Sequence, residues 1–286
     1  CLHTKVKELL IKETEEGMKV TGVMLSDGKK ITADKVIVAT GGKSYEATGS
    51  TGDGYLFAEA VGHTVKEIKP ALVPFTVKEE WCMKMQGLAL KNVSVRLECG
   101  KKKIFEGFGE MLFTHFGVSG PTVLSASAHI KSLPCKIVID LKPALEENKL
   151  NDRILRDLET YKNRSMENAL TDLLPRSMIP VVLDILNIPA DLQANSFTKQ
   201  QRRALVELLK GFPVQITGKR PVAEAIITSG GVKVSEIDPK MMESKLGPGL
   251  YFAGEIIDCD AYTGGFNLQI AWSTGYAAGM AIKNGD

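Results

Sequence analysis

The residues of this chain best suited to chemistry lie in its C-terminal segment. The apolar residues 250–253 lead directly into Gly254 and Glu255, and the pair Gly264-Gly265 precedes a helix-forming stretch. Glycines let backbone N–H groups approach a ligand closely, and a helix N-terminus favours an anionic or electron-accepting group. A strand, a carboxylate, a glycine turn and a helix in this order are what a flavin or dinucleotide site requires.

A second turn of the same kind occurs nearer the N-terminus. The apolar residues 36–39 end at Thr40, Gly41 and Gly42, where glycine again lets the backbone pass close to a ligand and threonine offers a hydroxyl. Taken by itself, this turn is equally compatible with a plain strand end. We expect cofactor contact because the C-terminal segment indicates the same chemistry.

Single residues elsewhere give weaker predictions. His115 lies between bulky apolar residues, which favours a buried core histidine whose ring nitrogens have hydrogen-bond partners. A substrate-facing role is the alternative. Asp53 precedes a helical stretch and is predicted to cap it, with a position beside a flavin as the alternative. Pro121 suits the first turn of a helix. The pair Gly230-Gly231 is equally consistent with a ligand-facing loop and with a structural turn.

The hydrophobic pattern predicts the elements that would position these residues. Strands are predicted at 6–11, 18–25, 30–32 and 36–39, and helices at 55–61, 150–161, 166–174, 179–186 and 198–210. The strand-and-glycine pattern of the N-terminal part returns at residue 214. We therefore predict one domain formed by residues 1–70 and 214–286. An inserted domain at 71–213 would be β-rich over 71–143 and helical over 146–210.

Composition excludes few functions. The 286 residues suffice for one large or two ordinary domains. A net charge of +2 gives no reason to expect nucleic acid or a membrane as a partner, and no apolar run has the roughly 18 residues of a membrane helix. Five cysteines without a Cys-x-x-Cys pair favour reduced thiols in a cytoplasm over disulfides. The histidines lack the spacing of a metal site.

Five stretches together resemble one protein family. They are VIVATGGKSY at 36–45, TGSTGDGY at 48–55, MLFTHFGVSGP at 111–121, ITSGGV at 227–232, and GLYFAGE with YTGGFNLQIAWSTG in the C-terminal segment. The set is similar to the bacterial HI0933-like and BaiN-like FAD-dependent oxidoreductases, which are two-dinucleotide-binding flavoproteins. The similarity extends over the whole chain, and it is specific because all five stretches occur together.

This resemblance implies an α/β fold, with an FAD-binding Rossmann-like domain and an inserted β-rich plus helical domain. It implies that Glu255 accepts a hydrogen bond from a ribityl hydroxyl. It also implies that N–H groups at the start of the last helix face the flavin pyrimidine edge, where they would stabilise the negative charge gained on reduction. The expected cofactor-binding residues are Thr40, Gly41, Gly42, Gly254, Glu255, Gly264, Gly265, Phe266, Asn267 and Leu268, and His115 is the expected catalytic residue.

One part of such a flavoprotein is not found in this sequence. The family pattern should open with a strand, Gly-x-Gly-x-x-Gly and a helix, and no such unit precedes Cys1. We therefore expect an N-terminally truncated chain that lacks the ADP-binding βαβ unit, binds FAD weakly or not at all, and is inactive alone. A complete protein that never had this unit is the alternative.

The function implied by the resemblance is that of a flavin-dependent oxidoreductase. It would transfer a hydride between a small organic substrate and N5 of FAD, with NAD(P)H or oxygen as the second redox partner. An amine-oxidising flavoenzyme and a non-catalytic flavin-binding or assembly module are the alternatives. We expect a cytoplasmic protein without a metal, a nucleic-acid partner or a membrane partner.

Overall fold

The computed structural model describes residues 1–15, 17–130 and 132–284. Its internal contacts divide the chain into two compact units. The split unit consists of Cys1–Val73 and Pro221–Asp286, and the barrel unit consists of Pro74–Arg220.

Both units contain strands and helices. The strands are β1 (Val6–Thr14), β2 (Gly17–Leu25), β3 (Lys30–Thr32), β4 (Val36–Val38), β5 (Val65–Ala71), β6 (Phe75–Val77), β7 (Ala89–Cys99), β8 (Lys102–Thr114), β9 (Gly117–Ser119), β10 (Cys135–Asp140), β11 (Phe212–Lys219), β12 (Ile227–Val232) and β13 (Leu250–Phe252). The helices are α1 (Asp53–Ala60), α2 (Trp81–Lys84), α3 (Pro121–Ser127), α4 (Glu147–Thr160), α5 (Met166–Ala169), α6 (Ile179–Leu186), α7 (Lys199–Lys210) and α8 (Phe266–Asn284).

The split unit contains several short sheets. β1, β2 and β3 form an antiparallel meander, β12 pairs with β5 in antiparallel fashion, and β13 pairs with β4 in parallel. Leu250 lies opposite Val36, and Phe252 lies opposite Val38. All three residues of β13 are buried, which explains why this strand is an unbroken apolar run rather than an alternating one.

The barrel unit closes six strands into an antiparallel barrel in the order β10-β11-β6-β9-β8-β7. Alternate residues of its strands are buried, as Val93, Val95 and Leu97 show along β7. β11 follows the helices and pairs with both β10 and β6, so the chain returns to complete the barrel. Residues 214–219 therefore lie in the barrel unit, although the sequence pattern assigns them to the C-terminal segment.

Local sequence signals locate helix ends with mixed success. Pro121 is the first residue of α3, which confirms its prediction. The prediction that Asp53 caps α1 is wrong, because the cap is Gly52 with φ of 84°. Asp53 is the first helical residue, and its carboxylate lies 3.3 Å from Lys5 Nζ. The helix predicted at 166–174 is shorter in the structure. α5 ends at Ala169, and residues 170–173 form turns instead of continuing the helix.

The prediction of reduced thiols is wrong for two of the five cysteines. Cys99 and Cys135 form a disulfide. They end up together because the antiparallel register of β7 and β10 places them directly opposite each other. Their separation of 36 residues gives no local signal of this pairing. Cys1, Cys82 and Cys259 carry free thiols.

A buried histidine links three segments of the split unit. Ser244 Oγ accepts hydrogen bonds from the backbone N–H groups of Leu246 and Gly247, so its own proton is donated to His63 Nε2 at 2.7 Å. His63 Nδ1, which then carries the imidazole proton, lies 3.4 Å from Glu236 Oε2. Burial lowers the pKa of His63 below 6.5, and Glu236 opposes this shift only in part. The fold therefore holds His63 neutral at pH 7.

We expect this histidine to make stability fall in mild acid. The unfolded chain protonates His63 near pH 6.5, whereas the folded chain does so only at lower pH, so stability is lost as the pH falls below 6.5. Urea unfolding of wild type and His63→Gln between pH 7.5 and 5 measures the difference. The slope should flatten in His63→Gln and stay unchanged in His3→Gln, since His3 is exposed. Parallel slopes in wild type and His63→Gln would contradict the assignment.

Candidate functional site

Two of the predicted glycine turns meet at one edge of the split unit. β4 and β13 run in parallel, so their carboxyl ends lie side by side. β4 leads into Thr40 and Gly41, and β13 leads into Gly254 and Glu255. Gly41 has a φ of 74° and Gly254 a φ of 80°, a backbone region that favours glycine. The fold thus brings together residues that are more than 200 positions apart in the sequence.

The carboxylate of Glu255 is held in a fixed direction at this edge. Its Oε1 accepts a hydrogen bond of 2.6 Å from the backbone N–H of Thr228. Gly42 makes this approach available, since a Cβ at that position would lie 2.7 Å from Glu255 Oε1 and 2.4 Å from Thr228 Oγ1. Gly42, one of the expected cofactor-binding residues, is therefore required at its position by the close packing around the Glu255 carboxylate.

Thr228 joins the two turns and was missed by the sequence analysis. Its Oγ1 accepts hydrogen bonds from the backbone N–H groups of Lys43 at 2.7 Å and Ser44 at 3.0 Å. The hydroxyl of Ser44 lies 3.0 Å from the same atom. Ser44 and Thr228 are only 4% and 2% exposed, so water cannot take the place of Thr228 at the Ser44 N–H group. The Gly230-Gly231 pair lies in the same strand, β12, and was only a weak indication that Thr228 belongs to the site.

The N-terminus of α8 provides free backbone donors. The first bond of the helical pattern runs from Gln269 N–H to the carbonyl of Gly265 at 3.0 Å. The N–H groups of residues 266–268 precede this bond and point away from the helix end. Gly264 and Gly265 have φ values of 112° and 89°, which gives the chain its sharp entry into α8. Phe266 and Leu268 are more than half exposed beside these donors.

Asn267 stabilises the loop before α8 through its side chain. Its Oδ1 accepts a hydrogen bond from Ala261 N–H at 2.9 Å, and its Nδ2 donates to the carbonyls of Ala261 at 2.8 Å and Tyr262 at 3.3 Å. The side-chain amide is thus used to shape the loop. Because the side chain is engaged in the loop, the backbone N–H is the group of Asn267 that could contact a cofactor.

We expect Asn267→Asp to loosen this loop. Aspartate keeps an acceptor for Ala261 N–H, but it cannot donate to the two carbonyls and repels them. The variant should lose about 1–2 kcal/mol of stability in urea unfolding, with faster hydrogen exchange at Ala261. Asn148→Asp is the control, because Asn148 is exposed near the start of α4. Equal stability of the two variants would show that the bonds to Ala261 contribute nothing.

A cavity of about 480 Å³ lies within the split unit beside these elements. Aliphatic side chains form most of its wall, and Glu255, Asn267 and the Gly264-Gly265 turn supply polar groups. The remaining lining residues are Leu72, Ile226, Ile227, Cys259, Tyr262, Thr263, Leu268, Ile270 and Ala271. An apolar cavity with a few convergent polar groups is the usual form of a small-molecule site.

Observations in the split unit fit a flavin. The strand-end turns, the carboxylate and the α8 N-terminus are the features that the predicted cofactor-binding residues should provide. Two buried hydroxyls near them, Thr40 Oγ1 and the Tyr55 hydroxyl, have no hydrogen-bond partner among the described residues. Buried polar groups normally have a partner, so these atoms are consistent with a polar ligand.

His115 lies in the barrel unit and is not a core residue. It forms the tight turn between β8 and β9 and is exposed, so the expectation of a satisfied core histidine is wrong. Its ring packs edge-on against Phe116, with 4.9 Å between ring centres. It lines a small cavity of about 150 Å³ that also includes Glu79 and Cys82. Its predicted substrate-facing role stays a prediction.

Comparison with known proteins assigns the chain to a family. Residues 69–227 match the family described as HI0933-like protein barrel and H2TH domain. The chain belongs to the HI0933-like family. The match covers the closed barrel and the helices α3 to α7, which is the region predicted as the inserted domain.

Three relatives extend the similarity beyond the barrel. The chain is 32% identical over 98% of its length to a 3-dehydro-bile acid delta(4,6)-reductase of Clostridium scindens. It is 33% and 30% identical, over 92% and 96% of its length, to ribosomal RNA dihydrouridine synthases of Escherichia coli and Haemophilus influenzae. The matches cover 68%, 64% and 66% of these relatives, respectively. These enzymes make an oxidoreductase function plausible for the HI0933-like chain.

Two further observations concern the described part of the chain. None of its helices combines the length and the apolar character needed to cross a bilayer. Within residues 1–15, 17–130 and 132–284, no three His, Cys, Asp or Glu side chains are grouped so as to hold a metal ion.

Proposed function

We propose that this chain is part of an FAD-dependent oxidoreductase that reduces a carbon–carbon double bond conjugated to a carbonyl group. In this proposal, the split unit is the FAD-binding, Rossmann-like domain and the barrel unit is the substrate or cap domain. The observation that carries the proposal is that the fixed carboxylate at the end of β13 and the N-terminus of α8 line one apolar cavity, with the turn at the end of β4 packed against that carboxylate.

Each part of the site has a defined task in this proposal. Glu255 accepts a hydrogen bond from a hydroxyl of the ribityl chain of the cofactor. The free N–H groups of residues 266–268 donate to the acceptor atoms at the pyrimidine edge of the ring, which gains negative charge on reduction. The aliphatic wall, including Ile227 and Leu268, excludes water from the ring face. When bound, FAD supplies the hydride-transfer chemistry at its N5 atom.

The chemistry of the relatives supports the choice of substrate bond. A delta(4,6)-reductase of a 3-dehydro-bile acid and a dihydrouridine synthase both add hydrogen to a carbon–carbon double bond, and in both substrates a carbonyl group activates this bond. An activated double bond is also the natural acceptor of a hydride. NAD(P)H is the second redox partner that fits a reductase, because it supplies the hydride that FAD passes to the double bond. Oxygen accepts electrons and would fit only the reverse case, an oxidase.

Uridine within RNA is a second candidate substrate, and the charge distribution favours it. Residues 74–220 contain 22 Lys and Arg against 16 Asp and Glu, a net charge of +6. The remaining residues contain 14 against 18, a net charge of −4. The overall charge near zero thus hides a basic barrel unit, which is suited to contacts with phosphates.

Anaerobic spectroscopy tests the proposed function. The full-length protein of which this chain is proposed to be part, incubated with excess FAD, should retain flavin absorbance, lose it on addition of NADPH or NADH, and regain it with a conjugated enone or a uridine-containing RNA. Bleaching by amines instead would support an amine-oxidising enzyme. Bound flavin that no reductant bleaches would support a non-catalytic module. Failure to retain any flavin at saturating FAD would contradict the proposal.

A further inference from the structure

Leu72 is held in a backbone conformation that leucine rarely adopts. Its φ is 50°, in the left-handed region, and the residue is only 1% exposed. Among the described residues other than glycine that have a positive φ, Leu72 is the most deeply buried. A Cβ destabilises this conformation, so it persists only where the surrounding structure fixes it, and such strain is concentrated at functional sites.

The pairing of β5 with β12 fixes the backbone at Leu72. Ala71, the last residue of β5, lies opposite Ile227, and the carbonyl of Leu72 accepts a hydrogen bond of 3.2 Å from the backbone N–H of Ile226. Pro74 restricts the preceding residue to an extended conformation. Relaxation of Leu72 to an ordinary φ would therefore disturb the end of this strand pair.

The side chain of Leu72 belongs to the candidate cavity rather than to the core. Within the described residues, it is part of neither of the two large clusters of buried apolar side chains. It lines the cavity of about 480 Å³ together with Ile226 and Ile227. Leu268 and Tyr262 line the same cavity but are 58% and 46% exposed, so they border its opening. The buried Leu72 closes its inner end.

The volume of the cavity limits the substrate that can enter beside a flavin. It lies in the lower half of the range of roughly 300–1,000 Å³ that is typical of small-molecule sites. A substrate that accepts a hydride from a flavin must lie against the flavin ring, so the two share this space. The size of the side chain at the inner end then decides how far the substrate can extend.

We propose that Leu72 is a specificity-determining residue, which closes the inner end of the cavity and restricts the substrate to a conjugated carbonyl compound with a single ring. The left-handed backbone directs the isobutyl group into the space that a second, fused ring would occupy. The identity of the substrate rests on the proposed function. The backbone strain and the depth of the cavity are properties of the flavin-free protein, so they can be tested separately.

Replacement of Leu72 by alanine and by glycine tests the backbone strain. Both variants lose the isobutyl group, but only glycine adopts a left-handed backbone without strain. In the flavin-free, full-length protein, Leu72→Gly should therefore have a Tm equal to or above that of Leu72→Ala.

The control for this comparison is Leu9, a buried residue of β1 that does not line the cavity. Leu9→Gly should have a Tm about 2 °C below that of Leu9→Ala, which is the ordinary cost of glycine in a strand. A Leu72→Gly protein whose Tm lies below that of Leu72→Ala by the same margin would overturn the inference.

Turnover by the full-length protein loaded with FAD tests the restriction of the substrate. With NADPH or NADH, wild type should reduce 2-cyclohexen-1-one at least about tenfold more efficiently than a bicyclic enone. Leu72→Ala should raise the ratio of kcat/KM for the bicyclic over the monocyclic enone at least about tenfold, because the truncation opens the inner end. Leu9→Ala should leave this ratio unchanged. An unchanged ratio in Leu72→Ala would overturn the inference, while the proposed function would stand.

Binding of a neutral fluorophore separates the inference from the proposed function. Without any flavin, N-phenyl-1-naphthylamine should bind Leu72→Ala about tenfold more tightly than wild type, because its rings reach the opened inner end. Equal binding would show that Leu72 does not set the depth of the cavity. If wild type reduces no enone, the proposed function fails and the substrate restriction fails with it, even where the fluorophore binds as expected.

Discussion

Gly42→Ala should displace the Glu255 carboxylate and disrupt the candidate site. The new Cβ would lie 2.4 Å from Thr228 Oγ1 and 2.7 Å from Glu255 Oε1, and both atoms are fixed by hydrogen bonds. Relief of this overlap requires Glu255 to leave Thr228 N–H or the loop at Lys43 to shift. We expect a loss of about 1–3 kcal/mol in urea unfolding and at least a tenfold loss of riboflavin affinity, roughly the effect of one lost charged hydrogen bond.

Gly275→Ala is the matched control for this substitution. Gly275 lies within α8 with nothing within 4 Å of an added Cβ. Alanine is the better helix former, so this variant should gain about 1 kcal/mol of stability and leave riboflavin binding unchanged. A Gly42→Ala protein with wild-type stability and affinity would show that the Glu255 carboxylate is not held as described.

Thr228→Val should have the second largest effect. Valine has nearly the same shape as threonine but lacks the hydroxyl. Within the described residues, Thr228 Oγ1 is the only acceptor for the backbone N–H groups of Lys43 and Ser44. The buried N–H group of Ser44 would then be unsatisfied and the N–H group of Lys43 would lose its protein acceptor, at a cost of about 2 kcal/mol. Thermal and urea unfolding measure this loss. Hydrogen exchange at Lys43 and Ser44 should accelerate, since their protection depends on Thr228 Oγ1.

Thr228→Ser separates the hydroxyl from the methyl group. Serine keeps the acceptor, so it should restore the slow exchange of Lys43 and Ser44 and lose at most about 1 kcal/mol for the missing methyl. The backbone bond from residue 228 to Glu255 Oε1 is present in both variants. Equal exchange rates in Thr228→Val and Thr228→Ser would mean that the hydroxyl does not hold the loop.

The Cys99–Cys135 disulfide shows that the number and spacing of cysteines are a weak guide to which of them form disulfides. The cysteine count and the absence of a Cys-x-x-Cys pair predicted free thiols, but Cys99 and Cys135 are bonded. They lie together because β7 and β10 pair in a register that places the two cysteines opposite each other. β10 also pairs with β11, and this second pairing constrains the position of β10. Register is a property of the assembled barrel, so no local pattern reports it.

Local patterns determined most of the secondary structure of this protein. The predicted bounds of β3 and α6 are those observed, because each is a short run of suitable residues with clear ends. α7 begins after Thr198, whose side chain and that of Gln201 form a capping box. Asp53 is the instructive exception, because Gly52 with its left-handed backbone caps α1, so that the helix begins at Asp53 rather than at the predicted residue 55.

The sequence by itself determined the family resemblance and the two turns at the candidate site. Thr40-Gly41-Gly42 and Gly254-Glu255 are recognisable because glycine has a local conformational role and a carboxylate has a local chemical one. The free donors at the start of α8 were likewise predictable from the Gly264-Gly265 turn and the helix that follows.

Only the tertiary structure decided which other residues serve this site. Thr228 bonds to Lys43 across 185 positions of sequence and to Glu255 across 27 positions. A threonine in an apolar context looks like an ordinary core residue. Its hydroxyl holds the loop at Lys43 because the fold brings β12 beside that loop and shields Thr228 from water.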